Sequence, residues 1–344
     1  MLDQADFVAR YDKQDMLGQL VRWPEQLAWK VVGSKLEGLK GFEPDNIVVA
    51  GMGNSGLPGE FVRSWLGDRL RVPLVVVRDY ALPEFVGAQT LVICSSNSGS
   101  TEETLSVLAG ARARKARVVA MATGGRLLDE ARQAAEATYE LPKGFEPRIS
   151  VMYAVKAVST VLEAVGAAEG IVAELEEAGK WLEGQDLAAW KQAPQKSNPA
   201  KQIASELVGH GVVVYAGEAL AFPAMKWKIV INEDAKNLAF YNYVPDMNHN
   251  EFSSWSFPRD HGMKVVELRS NLDHPRVAQR FEVMNRLLSN RWAPIEVTAE
   301  GGTKLQQMLW TWALGEFVAV YSGALNQVEV AALPLVDKLK RELG

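Results

Sequence analysis

Short apolar runs that end in glycine or hydroxyl residues alternate along the chain with segments of helical periodicity. These runs lie at residues 46–50, 73–77, 91–94 and 117–122, and looser counterparts in the second half lie at 212–215, 264–268 and 295–298. Continuous apolar runs of this length are typical of strands buried in a parallel sheet. The order of strand, helix and strand therefore predicts an α/β fold in which each half forms a doubly wound parallel sheet with flanking helices.

The predicted helices lie on both sides of an expected domain boundary. They are expected at residues 222–235, 275–288, 304–322 and 335–343, and an N-terminal helical stretch extends to about residue 39. The segment 149–165 is apolar on most faces, which predicts a helix packed in an interior or against another subunit. A polar stretch at 184–201 contains two prolines and is the expected domain boundary. We therefore expect a first domain over residues 1–183, including the N-terminal stretch, and a second domain over 184–344.

Composition and charge narrow the classes of function. The 344 residues include 37 basic and 42 acidic ones, for a formal net charge of -5, and no Lys or Arg run could follow a nucleic-acid backbone. The N-terminus lacks a secretory apolar region, and no later segment approaches the roughly 18 apolar residues that would span a bilayer. Cys94 is the single cysteine, and the four histidines show neither HxH nor HExxH spacing. We expect a cytoplasmic protein without a metal site, a membrane contact or a nucleic-acid partner.

A glycine-rich loop, GMGNSG at residues 51–56, follows the first predicted strand directly. Its glycines allow a sharp turn that brings backbone N–H groups close to a ligand, with Gly53 and Ser55 as candidates. Such turns also occur for packing alone, and this one lacks the glycine spacing of the dinucleotide-binding fingerprint. The loop alone therefore leaves ligand binding and packing open.

A second loop, SSNSGSTEET at residues 95–104, is dense in hydroxyl groups. Ser100 and Glu103 have the spacing of a capping box, which predicts a helix that starts at about Thr101. Ser96, Ser98 and Thr101 would then lie beside free N–H groups at a helix N-terminus, where a phosphate oxygen binds well. One hydroxyl suffices for a cap, and the chain has no GKS or GKT element for a nucleoside triphosphate. A sugar monophosphate is the ligand that fits best.

These motifs resemble those of known sugar isomerases. GMGNSG, SNSGSTEET and ATGGRL, the last at residues 122–127, are each placed after a strand and resemble the SIS sugar-isomerase domain. EPRIS at 146–150, INEDAK at 231–236 and PDMNHNE at 245–251 resemble the bifunctional phosphoglucose/phosphomannose isomerases specifically. The resemblance covers nearly the whole chain. It implies two SIS-type domains, interconversion of glucose 6-phosphate and mannose 6-phosphate with fructose 6-phosphate, no cofactor, and a homodimer with the active site at its interface.

The resemblance also assigns candidate roles. It matches Glu233 to the base that moves a proton between C1 and C2 through a cis-enediol, and Arg148 to the cation that stabilises the enediolate. It matches His249 to the histidine that assists ring opening and comes from the neighbouring subunit. The residues matched to phosphate binding, or placed in the matched loops, are Gly53, Ser55, Ser96, Ser98 and Thr101. From the sequence alone, Glu233 and His249 would more simply be exposed polar residues.

The chain departs from the family pattern at three loop positions, and two alternatives stay open. Asn54 replaces a glycine of GMGGSG, and Asn97 and Ser100 replace the tyrosine and asparagine of SYSGNT. The loss of the tyrosine ring alters the expected shape of the pocket near the phosphate. The alternatives are an SIS isomerase for another sugar phosphate and a non-catalytic SIS module that senses one.

Overall fold

The computed structural model describes residues 1–185, 187–257, 261–289 and 291–343. The chain forms two compact units, which we name the central unit (Arg22–Lys180) and the composite unit (Met1–Val21 together with Trp181–Gly344). This division differs from the expected domains in its first residues, because Met1–Val21 groups with the C-terminal half. The domain boundary between residues 183 and 184 stays a prediction.

The first half of the chain alternates strands and helices as the apolar runs predicted. Its helices are α1 (Ala5–Ala9), α2 (Met16–Val21), α3 (Pro24–Ala28), α4 (Leu57–Leu66), α5 (Glu102–Ala113), α6 (Gly125–Gln133), α7 (Val151–Ala164) and α8 (Ile171–Glu183). Its strands are β1 (Gly33–Ser34), β2 (Asn46–Ala50), β3 (Leu74–Val77), β4 (Thr90–Ser95), β5 (Arg117–Ala122) and β6 (Ala137–Glu140).

The second half continues the alternation less regularly. Its helices are α9 (Leu187–Gln192), α10 (Pro199–Leu207), α11 (Ala221–Glu233), α12 (Pro275–Leu287), α13 (Lys304–Leu325) and α14 (Pro334–Leu343). Its strands are β7 (Gly211–Ala216), β8 (Ala239–Tyr243), β9 (Met263–Arg269) and β10 (Ile295–Thr298).

The central unit is built on a six-stranded sheet in the order β1-β6-β5-β4-β2-β3. All neighbouring pairs are parallel except β1 with β6. Val48 and Val92 pack on one face against Val107 of α5 and Leu127 of α6. On the other face α4 approaches the sheet so closely that a Cβ at Gly59 would lie 2.7 Å from Val49. Helices therefore cover both faces, and the predicted doubly wound α/β arrangement is confirmed here.

The composite unit contains a parallel sheet in the order β10-β9-β7-β8. One face packs against α12, where Val213 and Tyr215 share a core with Phe281 and Met284. Helices α11 and α13 pack on each other in the same unit. They share a fully buried ion pair, with Lys226 Nζ 3.0 Å from a carboxylate oxygen of Glu316. This packing fixes the course of α11, the helix that carries Glu233.

The N-terminal residues are an integral part of the composite unit. The buried Lys201 ammonium lies 3.1 Å from Asp3 and donates a hydrogen bond to Ala193. The Asp12 carboxylate accepts the backbone N–H groups of Met16 and Leu17 at the start of α2. The polar stretch at 184–201 was expected to be the domain boundary, yet it contains α9 and this buried lysine. Asn198 and Lys201 of this stretch are buried and make hydrogen bonds within the composite unit.

Candidate functional site

Three loops of the central unit begin at one edge of its sheet. The loops follow β2, β4 and β5, which are neighbouring parallel strands, with Ala50 beside Cys94 and Ser95 beside Met121. Because the carboxyl ends of parallel strands point the same way, the glycine loop, the hydroxyl loop and ATGGRL start side by side. Cys94 itself is fully buried, and burial raises the pKa of its thiol to about 12. The thiol therefore belongs to the core.

Glycines bring the second and third loops into direct contact. Gly99 has a φ of +70°, and a Cβ there would lie 1.8 Å from the Gly124 carbonyl oxygen. A Cβ on Gly125 would lie 2.4 Å from the Ser98 carbonyl oxygen. No side chain fits at either position without moving the backbone. The third loop is thus held against the hydroxyl loop by backbone shape.

The predicted phosphate-binding residues are brought together in two groups. Ser55 Oγ, on the first loop, accepts the Asn97 backbone N–H at 3.0 Å. Ser96 Oγ accepts the Gly99 N–H at 3.1 Å and lies 2.9 Å from the Thr101 hydroxyl. Ser96 is fully buried, whereas Ser98 is exposed. Ser96 therefore shapes the loop, whereas the Ser98 hydroxyl is exposed to solvent and accepts the Ser100 N–H at 3.2 Å.

The start of α5 differs from the predicted capping box. Thr101 occupies the N-cap position with an extended backbone, and helix α5 begins at Glu102. Within the part of the chain that the structure describes, no side-chain hydrogen bond caps this helix. The Thr101 hydroxyl lies against Ser96 instead, so the capping box of Ser100 and Glu103 is wrong. The N–H groups of the first turn keep their affinity for an anion.

The first loop places its unusual backbone at Gly53. Gly53 has a φ of +50° and lies in a 3₁₀ turn over Gly53–Gly56, just before α4. Asn54, where the family pattern has a glycine, is not among the residues with positive φ. Gly53 carries the left-handed angle, so asparagine is accepted at residue 54 without strain.

Asn97 connects the loops to the segment that carries Arg148. Its side-chain amide donates to Ser150 Oγ at 3.3 Å, and its backbone carbonyl oxygen accepts the Thr123 hydroxyl at 2.8 Å. The Arg148 side chain is 3% exposed, and its Nε lies 3.3 Å from the Glu146 carboxylate. The sequence alone shows Asn97 only as a departure from the family pattern. Its contacts depend on how three loops meet, which the local sequence does not reveal.

Glu233 is the last residue of α11 and is half-buried. Its backbone carbonyl accepts the Lys236 ammonium at 2.8 Å, and the next residue, Asp234, is fully buried. The two acids therefore differ in environment, because neighbouring residues at the end of a helix face different directions. The side-chain oxygen of Asn232 accepts the N–H of Ala239, the first residue of β8, at 2.8 Å. This bond ties the end of α11 to the beginning of that strand.

His249 lies beyond the other end of β8. It is the last residue of a 3₁₀ turn over Asp246–His249, and its side chain is exposed. Helix α11 follows the carboxyl end of β7 and returns to the amino end of the parallel β8, so Glu233 and His249 lie at opposite ends of that strand. A strand of five residues is about 16 Å long. Within one chain, the composite unit keeps these two residues apart.

Over the described ranges, no group of three or more His, Cys, Asp or Glu side chains has a geometry suited to a metal ion. None of the described helices combines the length and apolar character needed to cross a bilayer.

Comparison with known proteins identifies close relatives. The profile of the bacterial phospho-glucose isomerase C-terminal SIS domain matches residues 196–343. The bifunctional phosphoglucose/phosphomannose isomerase of Aquifex aeolicus is 34% identical over 92% of this chain and 95% of its own. The protein of the same name from Caldicellulosiruptor bescii is 29% identical over 96% of this chain and 99% of its own.

Solved structures with low identity share the fold. The C-terminal domain of glucosamine-fructose-6-phosphate aminotransferase from Francisella tularensis superposes with a TM-score of 0.70 at 12% identity. The match covers 92% of this chain and 97% of that one. The SIS-type architecture predicted from the loop motifs is therefore confirmed.

Proposed function

Because the chain belongs to the bifunctional phosphoglucose/phosphomannose isomerase family, we propose that it interconverts glucose 6-phosphate and mannose 6-phosphate with fructose 6-phosphate. The observation that carries this proposal is the convergence of Ser55, Ser96 and Thr101 on two loops that start at adjacent strand ends. Hydroxyls and helix N-terminal N–H groups suit a small phosphate dianion. The relatives carry the same activity in their names.

The loops of the central unit would hold the phosphate and leave the sugar free to react. Ser98 is exposed beside Thr101 at the start of α5, and Ser55 faces them from the first loop. These groups bind the phosphate equally well in the substrate and in the transition state. We therefore expect them to govern KM more than kcat.

We propose Glu233 as the group that moves the proton. In the opened aldose its carboxylate would remove the proton from C2 while the carbonyl oxygen on C1 gains one, which gives a cis-enediol. The carboxylic acid would then return the proton to C1 as the hydroxyl on C2 loses its own, which leaves the ketose. Removal of the C2 proton erases the difference between glucose and mannose at that carbon. One base can therefore serve both substrates.

Arg148 and His249 would assist two different steps of the reaction. A guanidinium stays protonated at any working pH, so Arg148 could stabilise the negative charge that develops on the enediolate oxygens. An imidazole exchanges protons near neutral pH, which suits ring opening by His249. The proposed route uses no metal and no redox cofactor, and a cytoplasmic location stays a prediction.

The placement of Glu233 and His249 supports a site completed by a second copy. Within the composite unit they lie at opposite ends of β8, so a single chain does not bring them to one sugar through this sheet. In a two-fold dimer each interface contact occurs twice, so each of the two sites would receive His249 of the partner subunit. We propose a homodimer with the active site at the interface.

Mixing two inactive variants tests this arrangement. Glu233→Gln and His249→Asn proteins, each inactive alone, would be unfolded and refolded together to exchange subunits. Half of the random dimers are hybrids, and each hybrid has one site with both native groups, so about a quarter of the activity should return. If no activity returns although hybrid dimers form, the two residues act from the same chain and the interface proposal is wrong.

A coupled spectrophotometric assay in EDTA tests the proposed activity itself. Turnover of both aldose phosphates is expected, and loss of activity in EDTA would contradict the route without a metal. In D₂O, proton transfer through an enediol should place deuterium at C1 of the fructose 6-phosphate in part of the product. Binding of fructose 6-phosphate without turnover would favour a module that senses sugar phosphates.

A further inference from the structure

Arg78 follows β3 at the same sheet edge as the phosphate loops. Val77, the last residue of β3, is paired with Ala50 at the end of β2. Arg78 therefore lies next to the start of the GMGNSG loop. Neither the loop motifs nor the family resemblance assigns it a role.

The Arg78 guanidinium packs on the turn that carries Ser55. Nη1 donates a hydrogen bond to the Gly53 carbonyl oxygen at 2.9 Å. A Cβ on Gly56 would lie 2.9 Å from both Cζ and Nη1 of the guanidinium. Such a Cβ would also lie 2.5 Å from the Gly51 carbonyl oxygen, so this backbone oxygen and the guanidinium together leave no room for a side chain at residue 56, where φ is an ordinary -86°.

The bond to Gly53 also orients the following peptide group. In a planar trans peptide, the carbonyl oxygen and the next N–H point in opposite directions. By holding the Gly53 oxygen, Arg78 turns the Asn54 N–H away from itself. The contact thus fixes which groups of the turn face outward beside Ser55.

The positive charge of Arg78 is only partly balanced by its acidic neighbour. Arg78 Nε lies 3.8 Å from a carboxylate oxygen of Glu60, whereas Arg63 Nη2 lies 2.8 Å from the other oxygen. One carboxylate is shared by two guanidinium groups, which leaves net positive charge beside the first loop. Arg78 Nη2 is buried and has no hydrogen-bond partner in the described part of the chain. Ion pairing with Glu60 alone therefore does not account for Arg78.

We infer that Arg78 is a positioning residue for the phosphate, which holds the Gly53–Gly56 turn and adds a fixed positive charge to a site otherwise lined by neutral hydroxyls. The inference rests on the proposed sugar-phosphate function. A fixed cation near a dianion contributes to affinity in a salt-dependent way, since exposed charges are screened. It leaves the proton-transfer step largely unchanged.

Three Arg78 variants and one matched control test the inference. Arg78→Met removes charge and hydrogen bond, Arg78→Gln can keep a donor without the charge, and Arg78→Lys keeps the charge without the fork. Arg63→Met removes the other partner of Glu60, leaving the Gly53 contact intact. The readouts are the Kd of inorganic phosphate and of fructose 6-phosphate by calorimetry, their salt dependence, and kcat and KM separately.

Arg78→Met should raise both Kd values and KM about tenfold and change kcat by less than about threefold. This pattern is expected when a contact that binds the substrate and the transition state equally well is lost. Arg78→Gln should flatten the salt dependence, Arg78→Lys should recover part of the affinity, and Arg63→Met should stay within about twofold of the parent. If Arg78→Met does not fold, Arg78→Gln and Arg78→Lys carry the same comparison. Unchanged Kd values in folded variants, or equal losses in Arg63→Met, would overturn the inference.

The phosphate measurements separate this inference from the proposed function. Weaker phosphate binding in Arg78→Met, in a parent protein that isomerises neither sugar phosphate, would support the role of Arg78 and refute the isomerase. An active parent protein whose KM does not depend on Arg78 would support the isomerase and refute the role of Arg78. A parent that binds neither inorganic phosphate nor fructose 6-phosphate would refute both.

Discussion

The central and composite units prepare their candidate residues in different ways. In the central unit, Ser55 accepts a hydrogen bond from the second loop at the Asn97 N–H, and Ser96 contacts Thr101 within that loop. In the composite unit, Glu233 and His249 are kept at opposite ends of β8. The first unit thus holds its candidate phosphate-binding groups in place, while the second holds two candidate catalytic groups apart.

This contrast predicts a division of labour that kinetics can detect. A preformed set of hydroxyls binds phosphate in the same way before and during the reaction, so changes there should appear in KM. A base that acts on the reacting carbons contributes mainly to the transition state, so changes there should appear in kcat. The predictions below start with the largest expected effect.

Glu233→Gln should give the largest loss. The amide cannot accept the C2 proton, so kcat should fall by about two to four orders of magnitude. Binding of fructose 6-phosphate should change less than about threefold, because the amide has nearly the same shape. Stopped assays over hours and calorimetry measure the two quantities.

Glu206→Gln is the matched control for this change. Glu206 is an exposed glutamate on α10, in the same unit, and its replacement should leave both quantities unchanged. If Glu233→Gln weakens binding as strongly as it lowers kcat, Glu233 is not the base and the proposed contrast between the units fails.

Ser98→Ala should have an intermediate effect that appears in KM. Loss of one hydroxyl hydrogen bond to a charged phosphate should raise KM about tenfold and leave kcat within about twofold. Ser100→Ala is the control, because the Ser100 hydroxyl is exposed in the same loop. The substitution keeps the Ser100 backbone N–H, which donates to the Ser98 hydroxyl. Equal effects of the two substitutions would show that the loop has no specific phosphate contact at Ser98.

Much of the fold follows from local patterns. The apolar runs predicted β2, β5 and β10 with the bounds that the structure has, and the spacing of apolar residues located α7, α12 and α13 closely. Strands β6 and β8 were not predicted, because ATYE and AFYNY mix polar and apolar residues without a continuous apolar run. Strand β8 is an edge strand, where one side needs no apolar cover.

The candidate site was less accessible from the sequence. Loop motifs located the hydroxyls, but the contact of Thr101 with Ser96 replaced the predicted capping box. The pairing of Lys201 with Asp3 joins the two sequence segments of the composite unit, and such long-range pairs leave no signal in the local sequence. The same holds for Arg78, which follows β3, whereas its partner Gly53 lies in the loop after β2.

Asn97→Ala should have the smallest effect and tests whether the central unit acts as one piece. The substitution removes the 3.3 Å hydrogen bond from Asn97 to Ser150, two residues after Arg148, and keeps the backbone contacts of the loop. A hydrogen bond of this kind contributes about 0.5–1.5 kcal/mol, so kcat should fall only about threefold through a less fixed Arg148.

A double-mutant cycle with Ser150→Ala tests whether the effect of Asn97→Ala on kcat depends on the hydrogen bond to Ser150. Ser150 Oγ also donates to the Pro147 carbonyl, so the single substitution has a cost of its own that the cycle subtracts. We expect a coupling of about 0.5 kcal/mol or more in the free energy of activation. Strictly additive effects would mean that the phosphate loops and Arg148 are independent. The two units would then differ less than their geometry suggests, since each would offer separate groups that a bound sugar phosphate brings together.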